Sequence, residues 1–130
     1  MMSAQPYREP VINLIDELRS IKEQKYNQYV SWFINDEEGR EAVSKAVSTI
    51  INELRNNAAE GFAYGYYNVS TNVPKYRNDT NQKYTGKLIT MAFFDVVKTR
   101  LSKFDERFYI DMNDAYIRVK YNFDGSPVAK

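Results

Sequence analysis

The 130-residue chain contains no cysteine and no histidine. Without cysteine there are no disulfides, no thiolate nucleophile and no Cys-based zinc site. Without histidine there is no His-based triad, no imidazole proton shuttle and no His-ligated metal. No run of about 18 apolar residues is present to span a membrane, and the first residues lack the apolar core of a signal peptide. A large excess of one charge is missing as well. Eighteen Lys and Arg stand against 17 Asp and Glu, a formal charge of +1, so overall basicity does not announce a nucleic-acid partner. What the chain does have is one domain's worth of residues, 43% of them hydrophobic, enough for a modest core. Aromatics make up 15% of it: eleven tyrosines, seven phenylalanines and one tryptophan. Tyrosine couples apolar area to a hydroxyl and suits surfaces that become half buried in something else.

Three helices are predicted from periodicity. Residues 1–9 have no period and read as an extended lead-in. Pro10 suits a first helical turn, and Val11, Leu14, Leu18, Ile21, Tyr29, Trp32 and Phe33 then recur at three- and four-residue steps to about Ile34. Asn35 or Asp36 can cap the next helix, with Glu37 and Glu38 at the positive end of its dipole, and Gly39 marks the boundary as a hinge. The second helix, 37–59, has the clearest stripe: Ala42, Val43, Ala46, Val47, Ile50, Ile51, Leu54 and Ala58, with Lys45, Thr49, Asn52, Glu53 and Asn56 opposite. Residues 61–79 show neither helical nor strand period. They hold two glycines, four tyrosines and one proline, and structureless loops of this length in compact domains are usually functional or disordered. Asp79 and Gln82 resemble a capping box, and Tyr84, Leu88, Ile89, Ala92, Phe93, Val96, Val97, Leu101 and Phe104 trace a third helix to about Lys103. Gly86 costs that helix about 1 kcal/mol relative to Ala.

The tail admits two readings. Ile117, Val119, Tyr121 and Phe123 alternate with polar residues, as do Phe108, Ile110 and Met112, with Asn113-Asp114 at the turn of a hairpin. Phe108, Met112, Ala115, Val119 and Phe123 fit a helix face equally well. The fold class expected is therefore mainly α: an N-terminal helical arm, 1–35, and a bundle of three to four helices, 36–130, with 105–123 a helix or a β-hairpin.

The near-zero charge hides a basic middle. Residues 61–104 carry seven cations and two acids, whereas residues 34–60 carry three cations and six acids. Lys75, Arg77, Lys83 and Lys87 cluster around the loop and the start of the third helix. On the first helix Arg19, Lys22, Tyr26 and Tyr29 share one side, with Lys25 adjacent. Cations interleaved with tyrosine can hold phosphates while the rings pack on sugars or protein; they also suit ordinary solvated faces. Other chemistry is sparse. Glu37-Glu38 and Asp105-Glu106 lie where capping explains them. Asn68-Val69-Ser70 and Asn78-Asp79-Thr80 match the glycosylation acceptor triplet, which arises often by chance. No phosphate-cradling glycine loop or nucleophile elbow is present, so no enzyme, metal or cofactor is expected.

One stretch carries a resemblance. The long second helix followed by STNVPKY (Ser70 to Tyr76), a polar link and another amphipathic helix resembles the major coat proteins of rod-shaped and filamentous viruses of hot-spring archaea, the rudiviruses and lipothrixviruses. EQKYNQYVSWF (Glu23 to Phe33) is similar to the aromatic and basic segment that precedes the bundle in those proteins, and the likeness spans about residues 20–104. The rudivirus version begins with a short, strongly basic arm. This N-terminus is longer and charge-balanced, which points to the enveloped lipothrixvirus branch. The resemblance implies a four-helix type of bundle with an extended arm, and a dimer of identical or paralogous subunits that clasps linear double-stranded DNA in A-form within a helical virion. It implies assembly in the host cytoplasm and a lipid envelope around the filament. Carried onto this chain, it sets Arg19, Lys22, Lys25, Tyr26 and Tyr29 along the DNA side of the arm. Lys45 and Lys75 follow as phosphate contacts, then Arg77, Lys83 and Lys87. Two other functions stand beside it: a small helical module that inhibits or regulates a host system through the tyrosine-rich loop, and an accessory factor of a DNA enzyme.

Overall fold

The computed structural model describes residues 13–69, 86–113 and 116–129. Two 22-residue helices come first, α1 (Leu14–Asn35) and α2 (Glu37–Ala58). Strand β1 (Tyr64–Asn68), helix α3 (Gly86–Phe104) and the strands β2 (Tyr109–Asn113) and β3 (Tyr116–Lys120) follow. The fold is mainly α with a small antiparallel sheet of order β1-β3-β2. The lead-in, Pro10, the NVPKY stretch and the Asp79–Gln82 capping box lie outside the described residues.

A single residue, Asp36, separates α1 from α2. It stands at the N-cap position of α2 without a side-chain cap bond, and its N–H closes the last turn of α1 by donating to the Trp32 carbonyl at 3.0 Å. Gly39, expected as a hinge, is a contact instead. A Cβ placed there would lie 2.3 Å from the Trp32 carbonyl oxygen and 2.9 Å from the Phe33 Cα, so only a residue without a side chain lets the first turn of α2 approach the last turn of α1 this closely.

The core lies between the three helices and the inner face of the sheet. Its largest fully buried side chains include Tyr29 and Phe33 of α1, Ile50 of α2, Phe93 and Leu101 of α3 and Ile117 of β3. Phe33 and Phe93 meet with ring centroids 5.3 Å apart. The stripe expected on α2 is the stripe observed: Val43, Ala46, Val47, Ile50 and Leu54 are buried, and Ala42, Ile51 and Ala58 half-buried.

Between α2 and α3 the structure differs from the loop expected over 61–79, because residues 64–68 form β1. Its inward positions are Gly65 and Tyr67, and at Gly65 a Cβ would come within 3.1 Å of Leu54 Cδ2. The strand therefore lies close against α2 through a residue that contributes nothing to a hydropathy period. Two α2 side chains cover its outer edge: Asn57 Nδ2 donates to the Tyr64 carbonyl at 2.8 Å, and Glu53 Oε1 accepts the Tyr66 N–H at 3.0 Å.

In the tail the hairpin prevails over the helix, so the fourth helix of a four-helix bundle is not formed there. Strands β2 and β3 pair from Tyr109↔Lys120 to Asn113↔Tyr116, which turns Ile110, Ile117 and Val119 into the core. A helix would have placed Arg118 or Lys120 close to the buried side. The strand sends both of them to the opposite face, since residues two apart share a face.

Candidate nucleic-acid interface

Helix α1 passes through two environments. Its C-terminal half packs against α2 and α3 through Tyr29, Trp32 and Phe33. Its N-terminal half, 14–24, extends for about 16 Å at 1.5 Å per residue and is exposed throughout. Leu14, Ile15, Leu18 and Ile21 are 59%, 71%, 53% and 56% exposed. On a 3.6-residue period these four continue the same stripe that buries Tyr29 and Phe33 further along. Among the described residues the projecting part is 14–24, and residues 26–35 of the arm expected over 1–35 pack with the bundle instead.

The site residues expected on this helix divide at the same point. Arg19 and Lys22 are exposed. Arg19 meets Asp16 at 3.1 Å across an open surface, a contact that contributes little and leaves the guanidinium accessible. Lys25 is half-buried, its ammonium 5.2 Å from the centre of the Tyr29 ring, a cation–π contact at the edge of the bundle. Tyr26 and Tyr29 do not line an open face. Tyr29 is 2% exposed, and the Tyr26 hydroxyl donates a short hydrogen bond to Asp95 of α3. Burial, that hydrogen bond and the Asp95 charge together push the Tyr26 hydroxyl up to about 12. These two tyrosines share the helical side of Arg19 and Lys22, but α3 covers that side from Tyr26 onward.

Elsewhere, Lys45 on α2 and Lys87 at the start of α3 are exposed. Lys75, Arg77 and Lys83 lie outside the described residues, so the basic cluster of the middle is represented by Lys87. No group of three or more acidic, cysteine or histidine side chains that could hold a metal is found among the described residues, and no described helix is long and apolar enough to cross a membrane.

A second candidate surface was not visible in the sequence. The outward face of the sheet is built in three cross-strand rows, Tyr64–Lys120–Tyr109, Tyr66–Arg118–Asp111 and Asn68–Tyr116–Asn113. Rings run along it: Phe62 to Tyr64 at 5.6 Å, Tyr64 to Tyr66 at 5.4 Å and Tyr66 to Tyr116 at 6.4 Å between centroids. In the middle row Arg118 grips Asp111 with two parallel bonds, Nε to Oδ1 at 2.8 Å and Nη2 to Oδ2 at 2.6 Å. That fork lowers the Asp111 carboxyl below its ordinary range and raises the guanidinium. The four tyrosines of residues 61–79 are plain in the sequence, but the alignment of Tyr64 and Tyr66 with Arg118 and Lys120 depends on pairing across about fifty residues of chain, which no local pattern reports.

No protein-family model matches the chain, and neither a curated protein nor a solved structure does.

Proposed function

We propose that the chain is a structural coat protein that dimerises, wraps linear double-stranded DNA without reading its sequence and assembles with further copies or a paralogous subunit into a helical filament. The observation that carries this reading is the projecting half of α1, where four large aliphatic side chains and the cations Arg19 and Lys22 stand in solvent on one helix. Contiguous apolar surface rimmed by charge is costly on a lone molecule and characteristic of a surface covered in assembly. A coat must accept any sequence, so phosphate contacts and shape suffice, and the deep, narrow major groove of A-form discourages side-chain reading. The small net charge fits as well: single copies hold DNA weakly and neighbours in the filament add their contacts. The resemblance of the segments around Glu23–Phe33 and Ser70–Tyr76 to filamentous-virus coat proteins supports the same reading, as it does a virion location and an envelope. The hairpin in place of a fourth helix departs from the bundle that the resemblance implies.

The same apolar stripe also favours a second reading, a small module whose exposed helix docks on a host protein and regulates it. Electron microscopy of the purified protein mixed with linear duplex separates the two. Filaments containing both components are expected, whereas persistent monomers, or a tight stoichiometric complex with a host protein, would overturn the coat reading. Duplex binding is also expected to be indifferent to sequence and to weaken steeply with salt. Replacing Lys22 and Lys25 by Ala should flatten the slope of log affinity against log salt by about 1–2. An unchanged slope would move the contact from α1 to the basic middle of the chain.

A further inference from the structure

We infer that the outward face of the sheet is a stacking surface for single-stranded nucleic acid, separate from the duplex-binding arm. Its ring faces and its cations occur together. Tyr66 and Tyr116 are 40% and 44% exposed and touch each other across β1 and β3, and Phe62, 47% exposed, extends the line of rings beyond the strand. In register beside them stand Arg118 and Lys120 of β3. Asp111 is the one acid within the three strands, and the Arg118 fork matches it. Lys120 and, from α3, Lys98 also act on that carboxylate electrostatically, and Glu53 of α2 accepts the Tyr66 N–H at the β1 edge, so three cations stand against two acids around the rings.

This combination selects the occupant. In a duplex the bases stack on one another and present only edges in the grooves, so rings lying on a flat sheet have nothing to stack against. A single strand offers free base faces and a backbone that one or two cations can follow, the pairing that sequence-tolerant single-strand binders use. Tyr66 and Tyr116 are the stacking rings, and Lys120, set between Tyr64 and Tyr109 in its row, is the phosphate contact. Binding is tolerant of sequence, because stacking uses the face of a base and not its edge.

The test is titration of the full chain into a fluorescently labelled mixed-sequence single strand of about ten nucleotides, as DNA and as RNA, at low and moderate salt. Tyr66→Ala and Tyr116→Ala should each weaken binding about tenfold, while Tyr66→Phe and Tyr116→Phe stay within about twofold of the parent. Lys120→Gln should reduce the salt slope by about 0.7, one phosphate's worth on a single strand. A second measurement does not depend on the variants folding: irradiation of the unaltered protein with the same strand carrying 5-iodouracil, and mapping of the attachment by mass spectrometry. Attachment to Tyr66 or Tyr116 supports the assignment. It is overturned by failure of the unaltered chain to bind either strand at low salt, by alanine variants that fold and bind like the parent, or by attachment confined to α1. Loss of duplex filaments would bear on the arm alone, so the two readings fail separately.

Discussion

Two stretches of one helix make an instructive pair. The last turns of α1 bury Tyr29, Trp32 and Phe33, and the first turns leave Leu14, Ile15, Leu18 and Ile21 in solvent, although a single stripe joins them. Local sequence makes both stretches helical and amphipathic; what separates them is that the core takes in the second stretch and not the first. The apolar stripe of a helix records that something must cover it, and says nothing of whether the cover comes from the same chain. In the docked half it does. Along the projecting half no described residue supplies it, which is the basis for proposing that half as an assembly element.

The sharpest way to break this comparison is to truncate one side chain in each half. Phe33→Ala removes a ring that is 1% exposed and packed on Phe93, and is expected to destabilise the chain by about 3–5 kcal/mol in urea unfolding. Leu18→Ala is expected to change stability by less than about 0.5 kcal/mol in the unassembled protein. A comparable loss at both positions would mean that the projecting half is covered within the monomer.

The boundary between the halves is Tyr26, and its bond to Asp95 gives the next effect in size. Tyr26→Phe should cost about 2 kcal/mol, as expected when a part-buried carboxylate loses its donor. The pH dependence adds a signature. The Tyr26 hydroxyl is raised from 10.0 to about 12, so the folded chain holds that proton more tightly than the unfolded one. The stabilisation from this shift is whole below about pH 10 and is lost as pH climbs through about 12. The gap between parent and variant should therefore close over that window in alkaline unfolding curves.

A smaller effect is expected far from α1, at the junction of α3 and β2. Asp105 accepts from the Arg107 backbone N–H and from its Nε and Nη2, at 3.0, 2.9 and 2.7 Å, and these bonds hold its carboxyl down at about 2. A lowered value contributes stability above the ordinary carboxylate range that fades as pH falls toward about 2. Asp105→Asn should lower stability slightly at neutral pH and flatten acid unfolding by the same small amount, the two curves converging toward about pH 2, since the pair is exposed.

Much of the helical architecture was legible in the sequence. The stripe of α2 was readable to the residue, because Val43, Val47, Ile50 and Leu54 face one core all along. The tail was legible as two alternatives, and the hairpin prevailed because Ile110, Ile117 and Val119 can be buried together while Arg118 and Asp111 pair outside. Strand β1 was hidden by Gly65, whose inward position is occupied by Leu54 of the neighbouring helix and not by a side chain of its own. Of the site residues expected on α1, Arg19 and Lys22 lie on its exposed stretch, whereas Tyr26 and Tyr29 share their side but not their surroundings. Periodicity assigns a direction around the axis; it does not say how far along that axis a neighbour reaches.

The contact at Gly39 bears on how copies of this chain can be related. One residue separates the helices, and at Gly39 backbone lies on the Trp32 carbonyl with no side chain between them, so the leading helix meets α2 in a close, direct contact. In the proposed filament, this close joint would let each copy present its leading helix at the same heading, the condition for repeating one contact along a screw axis.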